Sequence, residues 1–131
     1  MCRKCVCCLL GVIVTFTALV AVGCGKKAPP QPAEKAERMV EVFLDAWSRG
    51  EPADKFSDAE NPIQGTDPDW KAGYRLLSFL SADAKQNENQ PDHILCRVSL
   101  YLQDKKGKKQ EKTVVYDVQL GEKSVIHRAA R

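Results

Sequence analysis

From Ala33 to Arg49 the apolar positions return every three or four residues. Placed at about 100° per residue, Ala33, Ala36, Met39, Val40, Phe43, Leu44, Ala46 and Trp47 share one face, while Glu34, Lys35, Glu37, Arg38, Glu41, Asp45, Ser48 and Arg49 gather opposite and Val42 alone is out of phase. The pattern predicts an amphipathic helix with a broad buried stripe. Its flanks agree: Pro32 suits a first helical position, acids crowd the first turns, and Gly50 can close the end in a left-handed conformation. At about 1.5 Å per residue the helix is about 25 Å long, enough to lie across several strands.

Beyond residue 90 the period shortens to two. From His93 to Leu102, the residues Ile94, Cys96, Val98, Leu100 and Leu102 alternate with His93, Leu95, Arg97, Ser99 and Tyr101, and from Thr113 to Leu120 the residues Val114, Tyr116, Val118 and Leu120 do the same. Both segments predict strands with one apolar face. The polar run Gln103 to Gln110, centred on Gly107, predicts a hairpin loop between them, and Gly121-Glu122-Lys123 a second turn into a short strand from Ser124 to Arg128. The middle of the chain is less regular. Glu51 to Phe56 suits a helical turn, Asp67-Pro68-Asp69-Trp70 carries the capping acid and proline of a helix start, and Gly73 suits its end. Tyr74 to Leu80 then reads as a strand, with Gln86 to Pro91 as a polar loop beyond it.

One helix with a wide apolar stripe and several strands with one apolar face each make an α+β fold. The expectation is a single domain over residues 33–131, its helix packed on the concave side of a curved antiparallel sheet of three to four strands. At about 1.5–3 kcal/mol for each large apolar side chain fully buried, Phe43, Trp47, Val98, Leu100, Tyr116 and Val118 would dominate its stability.

The first residues follow another plan. Arg3 and Lys4 precede an uncharged apolar stretch from Val6 to Val22, and small Gly23 stands before Cys24. This is the layout of a secretory signal, with a positive end, an apolar middle and a small-residue cleavage site. Ala21-Val22-Gly23-Cys24 resembles the bacterial lipobox, in which a peptidase cuts before a cysteine that has received a diacylglycerol. The resemblance implies a signal peptide at 1–23, lipidation at Cys24, and a tether over 24–32 that includes the proline-rich Ala28-Pro29-Pro30-Gln31-Pro32. Leu is usual three residues before that cysteine, where this chain has Ala21. The competing reading is an uncut N-terminal transmembrane anchor, for which the apolar stretch is at the short limit. A lipid anchor would place the domain at a membrane of the bacterial cell envelope, facing the periplasm or the exterior.

Removing residues 1–23 from the 131 leaves 108, a length that suits one domain after the tether. Arg3 and Lys4 leave with the signal, so 18 basic residues face 17 acids, and no basic face with interleaved aromatics suggests nucleic acid. Cys2, Cys5, Cys7 and Cys8 also lie in the signal, where an apolar segment makes a poor metal cage. Cys24 and Cys96 remain; with Cys24 acylated, no intrachain disulfide is possible.

The order of elements also carries a resemblance. A long helix ending Phe43-Leu44-Asp45-Ala46-Trp47-Ser48-Arg49-Gly50, a middle segment with Asp69-Trp70, Gly73 and Leu76-Leu77-Ser78-Phe79, and the strand Val114-Val115-Tyr116-Asp117-Val118 resemble the cystatin-like, nuclear transport factor 2-like superfamily, and within it small envelope lipoproteins. The superfamily includes isomerases, dehydratases, carrier subunits and binding modules, so the resemblance implies a fold rather than an activity.

An enzyme of this shape would need an acid or base between helix and sheet. The candidates are His93, His127, Asp69, Asp117, Tyr74 and Tyr116, with His127, Tyr116 and Tyr74 the expected lining of any pocket. His93 and Cys96 stand three apart on a strand, hence on opposite faces, and cannot form a thiol–imidazole pair. Cys96 reads as a small core hydrophobe and Asp117 as pointing away from the core. The lysines around Gly107 suit a solvated turn that discourages edge pairing, or contact with anionic headgroups or acidic polymers. Trp47 and Trp70 read as core. No phosphate-cradling loop, metal-spaced histidine pair or serine triad occurs, and no cofactor is expected. Two functions follow: an anchored, non-catalytic domain that binds a protein or small ligand, or an isomerase- or dehydratase-type enzyme using an acid or base in the cone. The open sheet face could also pair two copies.

Overall fold

The computed structural model describes residues 31–54, 56 and 63–130. The long helix α1 spans Pro32–Ser48. Pro32 occupies its first turn with Glu34, and no side chain caps its amino end. The chain turns out through Gly50 at φ +80°, whose N–H donates to the Trp47 carbonyl at 2.9 Å. Ala36, Met39, Val40, Phe43, Leu44, Ala46 and Trp47 are buried, the stripe expected from the sequence. Between Glu51 and Phe56 the structure has a turn at Ala53 and Asp54 instead of the expected helical turn.

The remaining elements are β1 (Ile63–Thr66), α2 (Pro68–Lys71), β2 (Arg75–Asn87), β3 (Gln90–Gln103), β4 (Lys109–Gln119) and β5 (Ser124–Arg128). They form one sheet in the order β1-β5-β4-β3-β2. Here the sequence expectation is corrected: the sheet has five strands, and it is mixed, because β1 runs parallel to β5 while the other pairs are antiparallel. β1 escaped notice because it is only four residues long and one of its two inward positions is Gly65. That glycine is required by packing. A Cβ there would overlap the Phe43 ring, so a side chain would force that ring to move.

A second correction concerns the expected loop over Gln86 to Pro91. Only Glu88 and Asn89 form the turn, the Asn89 N–H donating to Asn87 Oδ1 at 3.0 Å, while Gln86 and Asn87 close β2, and Gln90 and Pro91 open β3. Most of these side chains are exposed because the tip of the β2–β3 hairpin carries little core, so polarity marked solvent rather than a break in the ladder. β2 also slips register between Leu76 and Ser78 and between Ser81 and Asp83. Such bulges bend a strand and increase its twist.

α1 lies mainly against β2, with smaller contacts to β3, β1 and β4. On the covered face of the sheet Ile94, Cys96, Val98, Leu100 and Leu102 of β3 meet Val114, Tyr116 and Val118 of β4 and Ile126 of β5, all buried. Above them the Phe43 ring makes edge contacts with Phe56, Trp70 and Tyr116 at 5.3, 5.3 and 5.8 Å, and Trp47 stacks on Trp70 at 5.6 Å. Both indoles are satisfied: Trp47 Nε1 donates to the Tyr74 carbonyl at 2.8 Å and Trp70 Nε1 to the Glu51 carbonyl at 2.9 Å. These two bonds fix the carboxyl end of α1 beside the start of β2.

Candidate functional site

Charged side chains enter the covered layer at one place. Asp67 caps α2 from an extended backbone, its Oδ1 accepting from the N–H groups of Asp69 and Trp70 at 2.8 and 3.1 Å. Its other oxygen accepts from the Tyr116 hydroxyl at 2.7 Å and from Arg128 Nη2 at 2.6 Å. Asp69, two residues on, accepts from Lys112 Nζ and Arg128 Nη1, each at 2.8 Å. Two carboxylates from α2 thus meet two cations from β4 and β5, and Asp67 is wholly buried. Lys112 Nζ also stands 5.4 Å over the Tyr74 ring.

The electrostatics follow from that crossing. Burial by itself would raise Asp69, but the hydrogen bonds from Lys112 and Arg128 outweigh it and hold the carboxyl below the usual range. Burial would likewise lower Arg128, and the bond to Asp69 with the charge of Asp67 outweighs that, holding the guanidinium above its ordinary value. Tyr116 is pushed up, first by burial and then by the Asp67 charge, so its hydroxyl stays a proton donor. The network is closed and charge-balanced, apart from Arg128 Nε, which is buried without a partner. Such a cluster clamps α2 to the sheet. Neither carboxylate is placed to act as a base without giving up a cation.

A second cluster lies on the opposite face of the sheet. His93 Nδ1 is 2.9 and 3.0 Å from the two oxygens of Asp117, and His127 Nε2 is 3.8 Å from Asp117 Oδ2. A carboxylate only accepts, so the His93 Nδ1 that faces Asp117 is the nitrogen that donates. No group of three or more His, Cys, Asp or Glu that could hold a metal ion occurs among the described residues.

The three residues expected to line a pocket are not brought together. Tyr116 is fully buried beneath α1, whereas His127 alternates with buried Ile126 and faces the other side of the sheet, beside Asp117. Tyr74 is half-buried at the end of α2, near Lys112 and Trp47. Cys96 is buried on the face opposite His93, and burial pushes its thiol up to about 12, which makes it a core residue and a poor nucleophile. Asp67, Lys112 and Arg128 were missed. The signal for them was phase: Lys112 is in register with inward Val114, Tyr116 and Val118, and Arg128 with Ser124 and Ile126, so each is a cation on the apolar side of its strand.

Clefts among the described residues lie near the first cluster. One of about 730 Å³ runs over the edge of β4 where β5 ends, between Leu95, Thr113, Val115 and Ala129, with Lys112 and Arg128 at its rim. One of about 300 Å³ lies by Trp47, Trp70 and Arg75, and one of about 270 Å³ between Ala72, Tyr74 and the Asp104–Lys106 turn. His127 lines none of them. Cys24, the signal segment at 1–23 and the tether up to residue 30 lie outside the described residues, as does the alternative transmembrane anchor; no described helix is long and apolar enough to cross a membrane. No protein-family model matches the chain, and no curated protein or solved structure does.

Proposed function

We propose that this protein is a bacterial envelope lipoprotein whose Cys24 carries the lipid, whose residues 24–32 form a tether, and whose domain at 33–131 is a non-catalytic binding module of the cystatin-like kind. The observation that carries the reading is the uncharged apolar run Val6–Val22 ending in Gly23-Cys24, set directly before a proline-rich segment and a domain with its own core. A lipid on one thiol supplies membrane affinity, so the folded part needs no apolar span. One long helix laid across a sheet of hairpin-linked strands supports the fold assignment.

The binding role is supported by how the domain uses its polar groups. Asp67 and Asp69 are each bonded to a cation, and the imidazoles stand on the face away from the aromatic cluster. The clefts lie at the sheet edge and the helix end, lined by neither imidazole, which suits a peptide or small ligand. Intact-mass analysis of membrane-extracted protein tests the anchor. A mass equal to residues 24–131 plus acyl chains supports it, and an unmodified full-length chain refutes it. A Cys24→Ser variant that stayed equally membrane-bound would assign the retention to an uncut helix.

A further inference from the structure

Three large apolar side chains are exposed among the described residues: Leu77 at 40%, Leu80 at 64% and Tyr101 at 39%. All three fall at one end of the sheet. Ser78 pairs with Tyr101 and Leu80 with Ser99, so Tyr101 and Leu80 are diagonal neighbours on the face that α1 leaves open, and Leu77 sits in the bulge beside them. Two residues further along the strands, Arg75, Gln103 and Lys109 form the next row of the same face. Rows are about 7 Å apart at about 3.4 Å per residue.

That row borders the β3–β4 turn, which presents Lys105, Lys106 and Lys108, all exposed. The turn has a defined shape. The Asp104 carboxylate accepts from the N–H groups of Lys106 and Lys108 at 2.8 Å each, Gln103 Nε2 donates to the Gly107 carbonyl at 3.1 Å, and Gly107 takes φ +85°. Lys105 lies along Gly73, where a Cβ would meet its Cε at 2.6 Å. Five cations, Arg75, Lys105, Lys106, Lys108 and Lys109, therefore gather beyond one end of the apolar residues, against the carboxylates of Asp104 in the turn and Glu111 opposite Tyr101. None of the five has an ion-pair partner among the described residues, whereas Lys112 next to them is fully engaged with Asp69.

We infer that this end of the open face docks on an anionic lipid surface, with the cations at the headgroups and Leu77, Leu80 and Tyr101 entering the interface. Lysines alone would suit any polyanion. The exposed leucines and the tyrosine select the bilayer, because apolar side chains beside a band of cations are what an anionic membrane interface favours. The placement also fits the proposed anchor, on which the inference rests. The carboxyl end of α1 lies at this end of the sheet, fixed to Tyr74, so Pro32 is about 25 Å away at about 1.5 Å per residue. Residues 24–31, extended at about 3.1 Å each, span about 25 Å. Lipid and patch can therefore reach one membrane, with α1 on the far side of the sheet.

The test uses the full chain carrying Tyr101→Trp, reconstituted into vesicles of phosphatidylcholine, alone or mixed with phosphatidylglycerol, whose acyl chains are brominated to quench indole. Trp47 and Trp70 are buried, and the unsubstituted chain measures their constant background. The expected result is quenching of the added indole at least twofold stronger in anionic vesicles. It should fall to the neutral-vesicle level near 1 M salt, where the screening length is about 3 Å, and in the variant combining Lys105→Glu, Lys106→Glu, Lys108→Glu and Lys109→Glu. The salt arm needs no variant of the turn, so it stands even if that variant misfolds. A chain that floats with both vesicles but shows equal quenching overturns the docking and leaves the anchor; a chain that floats with neither overturns both. An emission shift on polyglutamate without quenching in vesicles assigns the patch to an acidic polymer and overturns the bilayer. A detergent-solubilised dimer that dissociates on Leu80→Asp assigns it to a second copy and does the same.

Discussion

Replacing Arg128 by methionine isolates the ionic clamp, because the side chain keeps an unbranched apolar stem and loses the charged, donating guanidinium. Arg128 makes two charge-assisted bonds, to Asp67 at 2.6 Å and to Asp69 at 2.8 Å. Bonds to charged groups contribute about 1.5–3 kcal/mol each, and removing one partner of a buried pair costs about 3–5 kcal/mol. Three features favour the lower end. Asp67 keeps two backbone N–H donors and the Tyr116 hydroxyl, Asp69 keeps Lys112, and the Arg128 side chain is itself 20% exposed. The expected loss is thus about 3 kcal/mol, which at a urea slope of about 1.5 kcal/mol/M lowers the midpoint by about 2 M. Tryptophan emission follows it, since the stacked Trp47 and Trp70 separate on unfolding. Arg128→Lys, which keeps the charge but not the two-pronged geometry, should fall between. The acid limb gives a second reading. A carboxyl held below its unfolded value contributes stability that is complete above about pH 3.9 and is lost as pH falls through the folded value. With one of its two cations gone Asp69 rises toward normal, so the fall in stability below about pH 4 becomes shallower in Arg128→Met. A midpoint shift under about 0.7 M, equivalent to about 1 kcal/mol, or an unchanged acid limb, would refute the clamp.

Other outcomes follow from the packing. Gly65→Ala places a methyl against the Phe43 ring, and overpacking of this kind costs about 1–3 kcal/mol; a thermal melt should show it, and Phe43→Leu should restore part of the loss. Leu100→Asp puts an unpaired carboxylate at a fully buried position and should abolish the cooperative transition seen by circular dichroism. Cys96, buried and with its thiol pushed up to about 12, should resist alkylation near pH 8 in the folded protein and react once urea opens the domain; equal rates in both states would place it at the surface.

Much of the architecture was legible because it is written in local periods. The stripe Ala36 to Trp47 and the alternations Ile94 to Leu102 and Val114 to Val118 put the same side chains inside the structure that they predicted. Length of pattern set the limit. β1 has two inward positions, one of them glycine, and so carries no periodic signal. The tip of the β2–β3 hairpin is polar because most of its side chains meet water, and polarity alone could not tell an exposed ladder from a loop. The clamp was half visible: Asp67 announced itself as a helix cap, but Lys112 and Arg128 stood at inward phases without a partner in their own segment.

By itself the chain determined its helix, its hairpin strands, the apolar side of each, and a hydrophobic run before Cys24, since all of these depend on residues a few positions apart. Only the tertiary structure decided that β1 lies parallel to β5, that Asp67 and Asp69 meet Arg128 across some sixty residues, and that His127 and Tyr116 fall on opposite faces. Those outcomes rest on contacts between distant segments, whose energies arise after the helix has settled on the sheet. A pattern read along the chain supplies the surfaces that must be covered, and three-dimensional packing chooses which of them cover one another.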